Sequence, residues 1–309
     1  MNPNCNGVGR ALGRAPKQLQ RITAATLLAI SAFAAEPLAP TNAPAPTRKL
    51  TFFDDFSGDL LDRTKWRVII TGRTVNNEQQ AYIDSTNVLY LARGEEVAGA
   101  TNGALVIRPR FQAKFTSPQN REYDFVSGRM DSRGLFEFTY GTASARIKMS
   151  AGAGLWPAFW LLGAGAWPAT GEIDIMEYVG DKSWTSVAVH GPGYSGNTPI
   201  VKREPFPAAH DATEWHIYSV DWTRDQLTFK VDDREIYTAT RAMIEKYGTW
   251  ALDNPKHIIV NFALGGGYPQ GVNGVRAPYP GLPLETVDLI KESKAAYLVD
   301  WVRVEQTEP

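Results

Sequence analysis

The chain has 309 residues, with 32 basic and 33 acidic side chains and a formal net charge of −1. This balance argues against a nucleic-acid-binding protein, which needs a basic surface. The 43% hydrophobic content argues against a disordered chain. The single cysteine, Cys5, excludes an intramolecular disulfide and a cysteine-built metal site. The length fits one large domain or two small ones.

The first 35 residues have the pattern of an export signal. Four basic residues and no acid precede the apolar run Ile22–Ala35, which is shorter than the ~20 residues that cross a bilayer. Small residues at Ala32 and Ala34 suit signal-peptidase cleavage. We therefore predict a secretory signal at residues 1–35 and a secreted or periplasmic mature chain without a membrane anchor. An uncleaved anchor or an over-extended start is the alternative. Cleavage would leave a cysteine-free chain of net charge −5.

Residues 36–49 are rich in Pro and Ala and predict an extended linker. From Leu50 onward, short apolar runs alternate with period two and are separated by turn residues, which is typical of strands. Such runs lie at Ala104–Arg108, Ala143–Met149, Glu172–Val179, Ser186–His190, His216–Trp222, Gln226–Val231, His257–Leu264 and Tyr297–Val304. One helix is predicted at Thr240–Tyr247. The pattern indicates a single all-β domain at residues 50–309, folded as an antiparallel sandwich.

Three acids interrupt an otherwise apolar strand in the run GEIDIMEYVG. Glu172 and Asp174 share one face, whereas a regular strand would turn Glu177 to the other face. A one-residue bulge at Ile175 or Met176 would return Glu177 to the acid face. We then expect the two Glu carboxyls near the ~5–5.5 Å separation of a retaining glycosidase, with repulsion raising at least one pKa. A calcium site or a solvated acidic strand is the alternative, but a regular strand supplies calcium ligands poorly.

Together with the run GLWPAFWLLG at residues 154–163, this strand resembles glycoside hydrolase family 16. The resemblance is to its laminarinase-like branch of endo-β-1,3-glucanases, which carries the bulged E-x-D-x-x-E pattern. Matching segments extend from Phe52 to Gln306, among them DDFSG at 54–58, NNEQQAY at 76–82 and YLVDWVRV at 297–304.

The resemblance implies a β-jelly-roll sandwich with a concave substrate cleft, and hydrolysis with retention of configuration. It implies that Glu172 is the nucleophile and that Glu177 is first the acid and then the base. Asp174 would hold Glu172 by a hydrogen bond and tune the pair. No cofactor is expected for catalysis.

The resemblance also assigns sugar contacts. Trp156 and Trp160 would line the glycone subsites, Asn77 and Arg129 would hydrogen-bond sugar hydroxyls there, and His190 would face the leaving group. The structural alternatives are core packing for each Trp, turn capping for Asn77, a surface position for Arg129 and a structural role for His190.

Other residues near the cleft are weaker candidates. Trp167 and Trp184 lie on predicted loops beside the acidic strand, and Tyr268 stands where the family usually has Trp. The run Gly191–Gly196 matches G-x-G-x-x-G, but no helix is predicted after it, so it is not a dinucleotide motif.

Many members of the family bind a structural calcium, and the corresponding ligands here would be Asp55, the Gly103 carbonyl and Asp300. The family usually has the longer Glu at the position of Asp55. The expected function is a monomeric endo-glycosidase that cuts internal β-1,3 bonds of laminarin-type β-glucan. The alternatives are a mixed-linkage glucanase, an agar-type galactan hydrolase, a transglycosylase of the same fold, or a non-catalytic glucan-binding protein.

Overall fold

The computed structural model describes residues 47–207 and 209–307, and strands dominate this part of the chain. The strands before the acidic run are β1 Arg48–Asp54, β2 Arg67–Val68, β3 Gln80–Tyr82, β4 Leu89–Ala92, β5 Ala104–Ile107, β6 Arg110–Thr116, β7 Glu122–Ser127, β8 Arg129–Asp131, β9 Gly141–Met149 and β10 Leu155–Gly163. The others are β11 Glu172–Glu177, β12 Trp184–His190, β13 Ile200–Pro205, β14 His216–Trp222, β15 Gln226–Val231, β16 Arg234–Thr240, β17 Lys256–Leu264 and β18 Tyr297–Thr307. The helices are α1 Arg241–Ile244, α2 Gly267–Asn273 and α3 Leu284–Lys291.

Two large antiparallel sheets form the sandwich, as expected for a jelly roll. One has the order β16-β15-β14-β9-β18-β5-β4, with β1 also paired to β18, and the other has the order β13-β12-β11-β10-β17-β8-β2. A third sheet, β3-β7-β6, departs from the antiparallel expectation because β3 and β7 run parallel. The predicted all-β class is confirmed.

One hydrophobic cluster joins the facing sides of both large sheets. It includes Ile147 and Tyr218 from the first sheet and Phe159, Ile173 and Ile175 from the second, all almost completely buried. The alternation along β11 therefore sends its isoleucines into this core. Its acids are left on the opposite face of the seven-stranded sheet.

The predicted strands all form, and β14 and β15 have the predicted bounds. The helix predicted at Thr240–Tyr247 is shorter, with Thr240 as its N-cap, accepting a hydrogen bond from the Met243 amide. Strand β10 is not among the predicted period-two runs, and it contains Pro157, which is unusual in a central strand. The Pro157 carbonyl accepts a hydrogen bond from the Tyr178 amide, and Tyr178 lies just beyond the last residue of β11. The N–H that proline lacks would therefore face a position where β11 has already ended.

The predicted signal at residues 1–35 and most of the predicted linker lie outside the described residues. Across residues 47–207 and 209–307, no helix has the length and hydrophobicity that a membrane span requires.

Candidate active site

The acids of β11 are brought to one face by a bulge, as predicted. Against β12, Asp174 pairs with Ala188 and Glu177 with Ser186, so three steps on one strand match two on the other. Against β10, the register shifts between Phe159 and Trp160. The extra residue re-aims Glu177 toward the face that carries Glu172 and Asp174.

Each of the two glutamates accepts a hydrogen bond from an indole. Trp156 Nε1 donates to Glu177 Oε1 at 3.0 Å, and Trp167 Nε1 donates to Glu172 Oε2 at 2.9 Å. Trp156 comes from the neighbouring strand β10, whereas Trp167 comes from the loop before β11. The structure thus places Trp167, a weaker candidate in the sequence, directly on the predicted nucleophile.

His190 lies beside Glu172 and Asp174. It is the register partner of Glu172 across β11 and β12. Its Nε2 atom is 3.2 Å from Asp174 Oδ2 and 3.8 Å from Glu172 Oε1. Ala188 pairs with Asp174, and this small side chain leaves room for the imidazole and the carboxyl group to meet.

Burial raises the pKa of all three acids. It raises the pKa of Glu172 to about 8, with the charge of Asp174 adding to the effect. It raises the pKa of Glu177 to about 7, opposed by His190 and by the Trp156 hydrogen bond. The pKa of Asp174 is raised well above its usual range, by burial first and then by the charge of Glu177. Burial thus favours the protonated form of each acid, and general acid catalysis needs one protonated carboxyl group.

Burial favours a proton on Asp174 over one on Glu172. The Asp174 side chain is 6% exposed and the Glu172 side chain 16% exposed, so ionising Asp174 costs more. With the proton on Asp174, its hydroxyl can donate to Glu172 and leave that carboxylate ionised for attack. Glu177 keeps its own proton as the pH rises, until the pH passes its pKa of about 7.

A polar network continues the site across β10, β17 and β3, with Arg129 of β8 beside it. Trp160 Nε1 donates to Asn261 Oδ1 at 2.7 Å, and Asn261 Nδ2 donates to the Tyr82 hydroxyl at 3.1 Å. Tyr82 in turn donates to Glu78 Oε2 at 3.3 Å. The guanidinium of Arg129 lies 5.0 Å from the centre of the Trp160 ring. Trp160 and Arg129 therefore belong to the same face as the acids, on the side away from β12.

On the β12 side, a second aromatic group adjoins Glu177. Tyr268, from α2, packs edge-on against Trp156 with ring centres 5.5 Å apart. Its hydroxyl is 3.0 Å from Ser186 Oγ, the register partner of Glu177. Tyr268 thus supports Trp156, the indole partner of Glu177. On the same side, the guanidinium of Arg203 lies 4.5 Å from the centre of the Trp184 ring.

Asn77 is exposed, in the loop before β3, with φ of 57°. The loop packs against the start of α2, where Gly267 N donates to Asn76 O at 2.6 Å. No hydrogen bond in the described part of the chain joins the Asn77 side chain to the three acids, and its contact with sugar hydroxyls stays a prediction.

The three predicted calcium ligands lie near one another, but their contacts do not fit a bound calcium. Asp300 accepts from Thr101 at both oxygens and pairs with Arg146 at 2.5 Å. Asp55 accepts from Ser57 and Asn102. Gly103 adjoins this loop, since an added Cβ would lie 3.2 Å from the Phe56 carbonyl. Arg146 already neutralises the buried Asp300, and no catalytic step involves this region.

Sequence reasoning missed a buried lysine behind the nucleophile. Lys256 is fully buried, and its Nζ donates to Thr170 O at 2.7 Å and Asn254 Oδ1 at 3.2 Å. Burial lowers its pKa to about 8. Thr170 ends the loop that carries Trp167, so the lysine anchors that loop. The sequence alone could not reveal this anchor, because a lysine directly before the predicted strand His257–Leu264 resembles an ordinary exposed polar residue at the start of a strand.

Comparisons with known proteins agree with this geometry. The family described as "Glycosyl hydrolases family 16" matches residues 70–278. The beta-glucanase of Rhodothermus marinus is 29% identical over 274 residues, covering 84% of this chain and 86% of that protein. The endo-β-1,3-glucanase structure from Pyrococcus furiosus aligns with a TM-score of 0.72 at 30% identity, over 85% of this chain and 96% of that one. The laminarinase catalytic domain from Thermotoga maritima aligns with a TM-score of 0.70 at 29% identity, over 85% and 99%.

Proposed function

Because the chain belongs to glycosyl hydrolases family 16, we propose that it hydrolyses internal β-1,3 bonds of laminarin-type β-glucan with retention of configuration. The observation that carries this proposal is the bulged acid row, in which Glu172 and Glu177 share one face and each has its own indole donor. The similar beta-glucanase and endo-β-1,3-glucanase support the choice of bond.

The reaction follows from the placement of the acids. A carboxylate oxygen of Glu172 attacks the anomeric carbon while the bond to the departing sugar oxygen breaks, and Glu177 gives that oxygen its proton. In the second half, Glu177 takes a proton from water, whose oxygen attacks the same carbon and releases Glu172. Asp174 acts through Glu172 and is a positioning residue. Trp160, next to Arg129 and Asn261, offers a flat face on which a sugar ring can stack.

The decisive experiment measures reducing ends released from laminarin by the wild type and by Glu172→Gln. We expect the variant to lose at least about 10³-fold in kcat, because an amide cannot form the covalent intermediate. Glu122→Gln changes an exposed strand residue and serves as the matched control. Full activity in Glu172→Gln would overturn the mechanism, and initial release of the α-anomer, seen by NMR, would overturn retention.

The same assay on a substrate panel separates the alternatives. Release from laminarin but not from lichenan, agarose or carrageenan supports the proposed bond. A mixed-linkage glucanase would favour lichenan, and an agar-type hydrolase would favour agarose. Products longer than the substrate would reveal transglycosylation. Laminarin binding without any release would indicate a glucan-binding protein.

We further propose that residues 1–35 direct export, so that the enzyme acts on extracellular or periplasmic polymer. The basic start, the short apolar run and the small residues at Ala32 and Ala34 support export. We also propose that the enzyme acts as a monomer. Expression of the full chain in a bacterium with N-terminal sequencing of the exported product tests the proposed export. A product that retains Met1, or that stays in the membrane fraction, would contradict cleavage.

A further inference from the structure

Three side chains of the active site converge as a mixed nitrogen and oxygen set. Glu172, Asp174 and His190 each offer one ligand atom, and these atoms lie within 4.8 Å of one another. The separations from His190 Nε2 are 3.2 Å to Asp174 Oδ2 and 3.8 Å to Glu172 Oε1. The set is rigidly based, because Glu172 and His190 are register partners on adjacent strands.

One atom of this set lacks the partner that a buried oxygen normally has. Asp174 is 96% buried, and its Oδ2 has no hydrogen-bond donor within the described residues; the nearby His190 nitrogen is not aligned for one. Such an orphaned oxygen is costly unless something else satisfies it. The Oδ2 atom points to the same space as the imidazole, so a cation there would satisfy it.

We propose that Glu172, Asp174 and His190 form an inhibitory site for Zn²⁺. Zinc takes nitrogen and carboxylate ligands at ~2.0–2.2 Å, which places tetrahedral ligand atoms about 3.4 Å apart. The two separations from His190 Nε2 bracket that value, and the two carboxylate oxygens, within 4.8 Å of one another, can close on a metal ion by rotation of the partly exposed Glu172 side chain. Calcium suits the set poorly, because it requires six to eight oxygen ligands. The fourth position is open to water, since Glu172 and His190 are both partly exposed.

Zinc bound there would stop the reaction at its first step. The Glu172 oxygen that coordinates the metal is no longer free to attack, and Asp174 can no longer donate to Glu172. Glu177 stays outside the set, held by Trp156. Substrate occupying the cleft would obstruct the metal, so inhibition should be competitive. His190 Nδ1 has no hydrogen-bond partner in the described chain, and without this support we expect micromolar rather than nanomolar affinity.

The test uses zinc sulfate with the purified full chain and two independent measurements. Isothermal titration calorimetry without substrate should give one zinc per chain, and laminarin hydrolysis should show competitive inhibition. This inhibition rests on the proposed function, whereas the calorimetric result does not. A chain that binds zinc but fails to hydrolyse laminarin would thus count against the proposed function alone.

The variants separate this site from surface binding. We expect His190→Gln to weaken zinc binding at least tenfold, and Glu172→Gln to do the same in calorimetry. His210→Gln changes an exposed histidine in the segment between β13 and β14, outside the strands that carry the site, and should leave both zinc affinity and hydrolysis unchanged. Melting temperatures establish that each variant is folded. Unchanged zinc binding in both folded site variants, or its loss in His210→Gln, would overturn the proposal, as would calcium chloride binding equally well.

Discussion

Two tryptophan N–H groups stabilise the charged forms of Glu172 and Glu177, the two glutamates to which we assign catalysis. Burial raises the pKa of both acids, whereas an N–H donor stabilises the carboxylate and lowers the pKa. Trp156 acts on Glu177 and Trp167 acts on Glu172. The protonation pattern of the site therefore depends on residues that cannot themselves titrate.

This dependence predicts a shift in the pH profile of Trp156→Phe. Glu177 must be protonated to act as the acid, so kcat/KM should fall as pH rises through its pKa of about 7. Removing the N–H donor takes away a stabiliser of the charged form and raises that pKa. We expect the alkaline limb to move up by about 0.5–1 pH unit, the equivalent of one hydrogen bond of ~1 kcal/mol. The measurement is kcat/KM on laminarin from pH 5 to 9.

Trp160→Phe is the matched control, because it removes an indole from the same strand whose N–H goes to Asn261 instead of an acid. Its kcat/KM can fall, but its alkaline limb should stay in place. Equal shifts in the two variants would show that a general change of the cleft, and not the hydrogen bond, sets the profile.

At the scale of elements, the bulge in β11 inserts one extra residue between Asp174 and Glu177 and keeps both acids on the same face of the strand. Deleting Met176 would give E-I-D-I-E, a regular strand in which all three acids share a face. We expect this variant to fold with measurable laminarinase activity. It should lose about 2–4 kcal/mol of stability, because a fully buried methionine is removed. Denaturant unfolding and reducing-end release are the measurements.

Deleting Ile173 instead is the contrasting change. It makes Glu172 and Asp174 neighbours, which a strand must turn to opposite faces, so Asp174 can no longer support Glu172. Activity should fall well below that of the Met176 deletion even under conditions where the protein is shown by circular dichroism to be folded. Comparable activity in the two deletion variants would contradict the proposed role of strand phase.

The loop before β11 predicts that Lys256→Met lowers both stability and activity. Lys256 is buried, and its Nζ donates to Thr170 O and Asn254 Oδ1. Without it the buried Thr170 carbonyl would lose its donor, and Trp167 would be held less firmly on Glu172. We expect the unfolding free energy to fall by about 1–3 kcal/mol and kcat, measured where the variant is folded, to be about tenfold lower.

Combining Lys256→Met with Trp167→Phe tests whether the lysine acts through the indole. If it does, the double variant should be little slower than Trp167→Phe alone. Additive losses would place the effect elsewhere. Lys246→Met, at an exposed position, controls for the loss of a positive charge.

At the scale of the whole molecule, the contacts of Asp300 bear on its metal dependence. Arg146 and Thr101 already satisfy this buried carboxylate. We expect excess EDTA to change the melting temperature by less than about 1 °C, since a bound ion would stabilise the fold by mass action. The control is Arg146→Met, which should lower the melting temperature. A clear drop on chelation, restored by calcium chloride, would contradict this expectation.

The sequence predicted those parts of the molecule whose signal is local. Alternating apolar residues predicted β14 and β15 to the residue, and the spacing of the acids predicted the bulge in β11. Helix α2 was missed because its Gly, Pro and Asn residues are poor helix formers. The contact between Tyr82 and Asn261 joins β3 to β17, and no spacing along the chain can announce a hydrogen bond between positions so distant.

The pairing of β1 with β18 has a practical consequence for engineering. Arg48 and Thr307 are register partners, so the two ends of the described domain lie within about 5.5 Å between Cα atoms. A short peptide could join them, and the chain could then be opened at an exposed turn elsewhere to give a circular permutant. Both ends belong to the sheet that lacks the acid row. A carrier protein or immobilising tag could therefore be attached at either end without starting from the sheet that carries the acids.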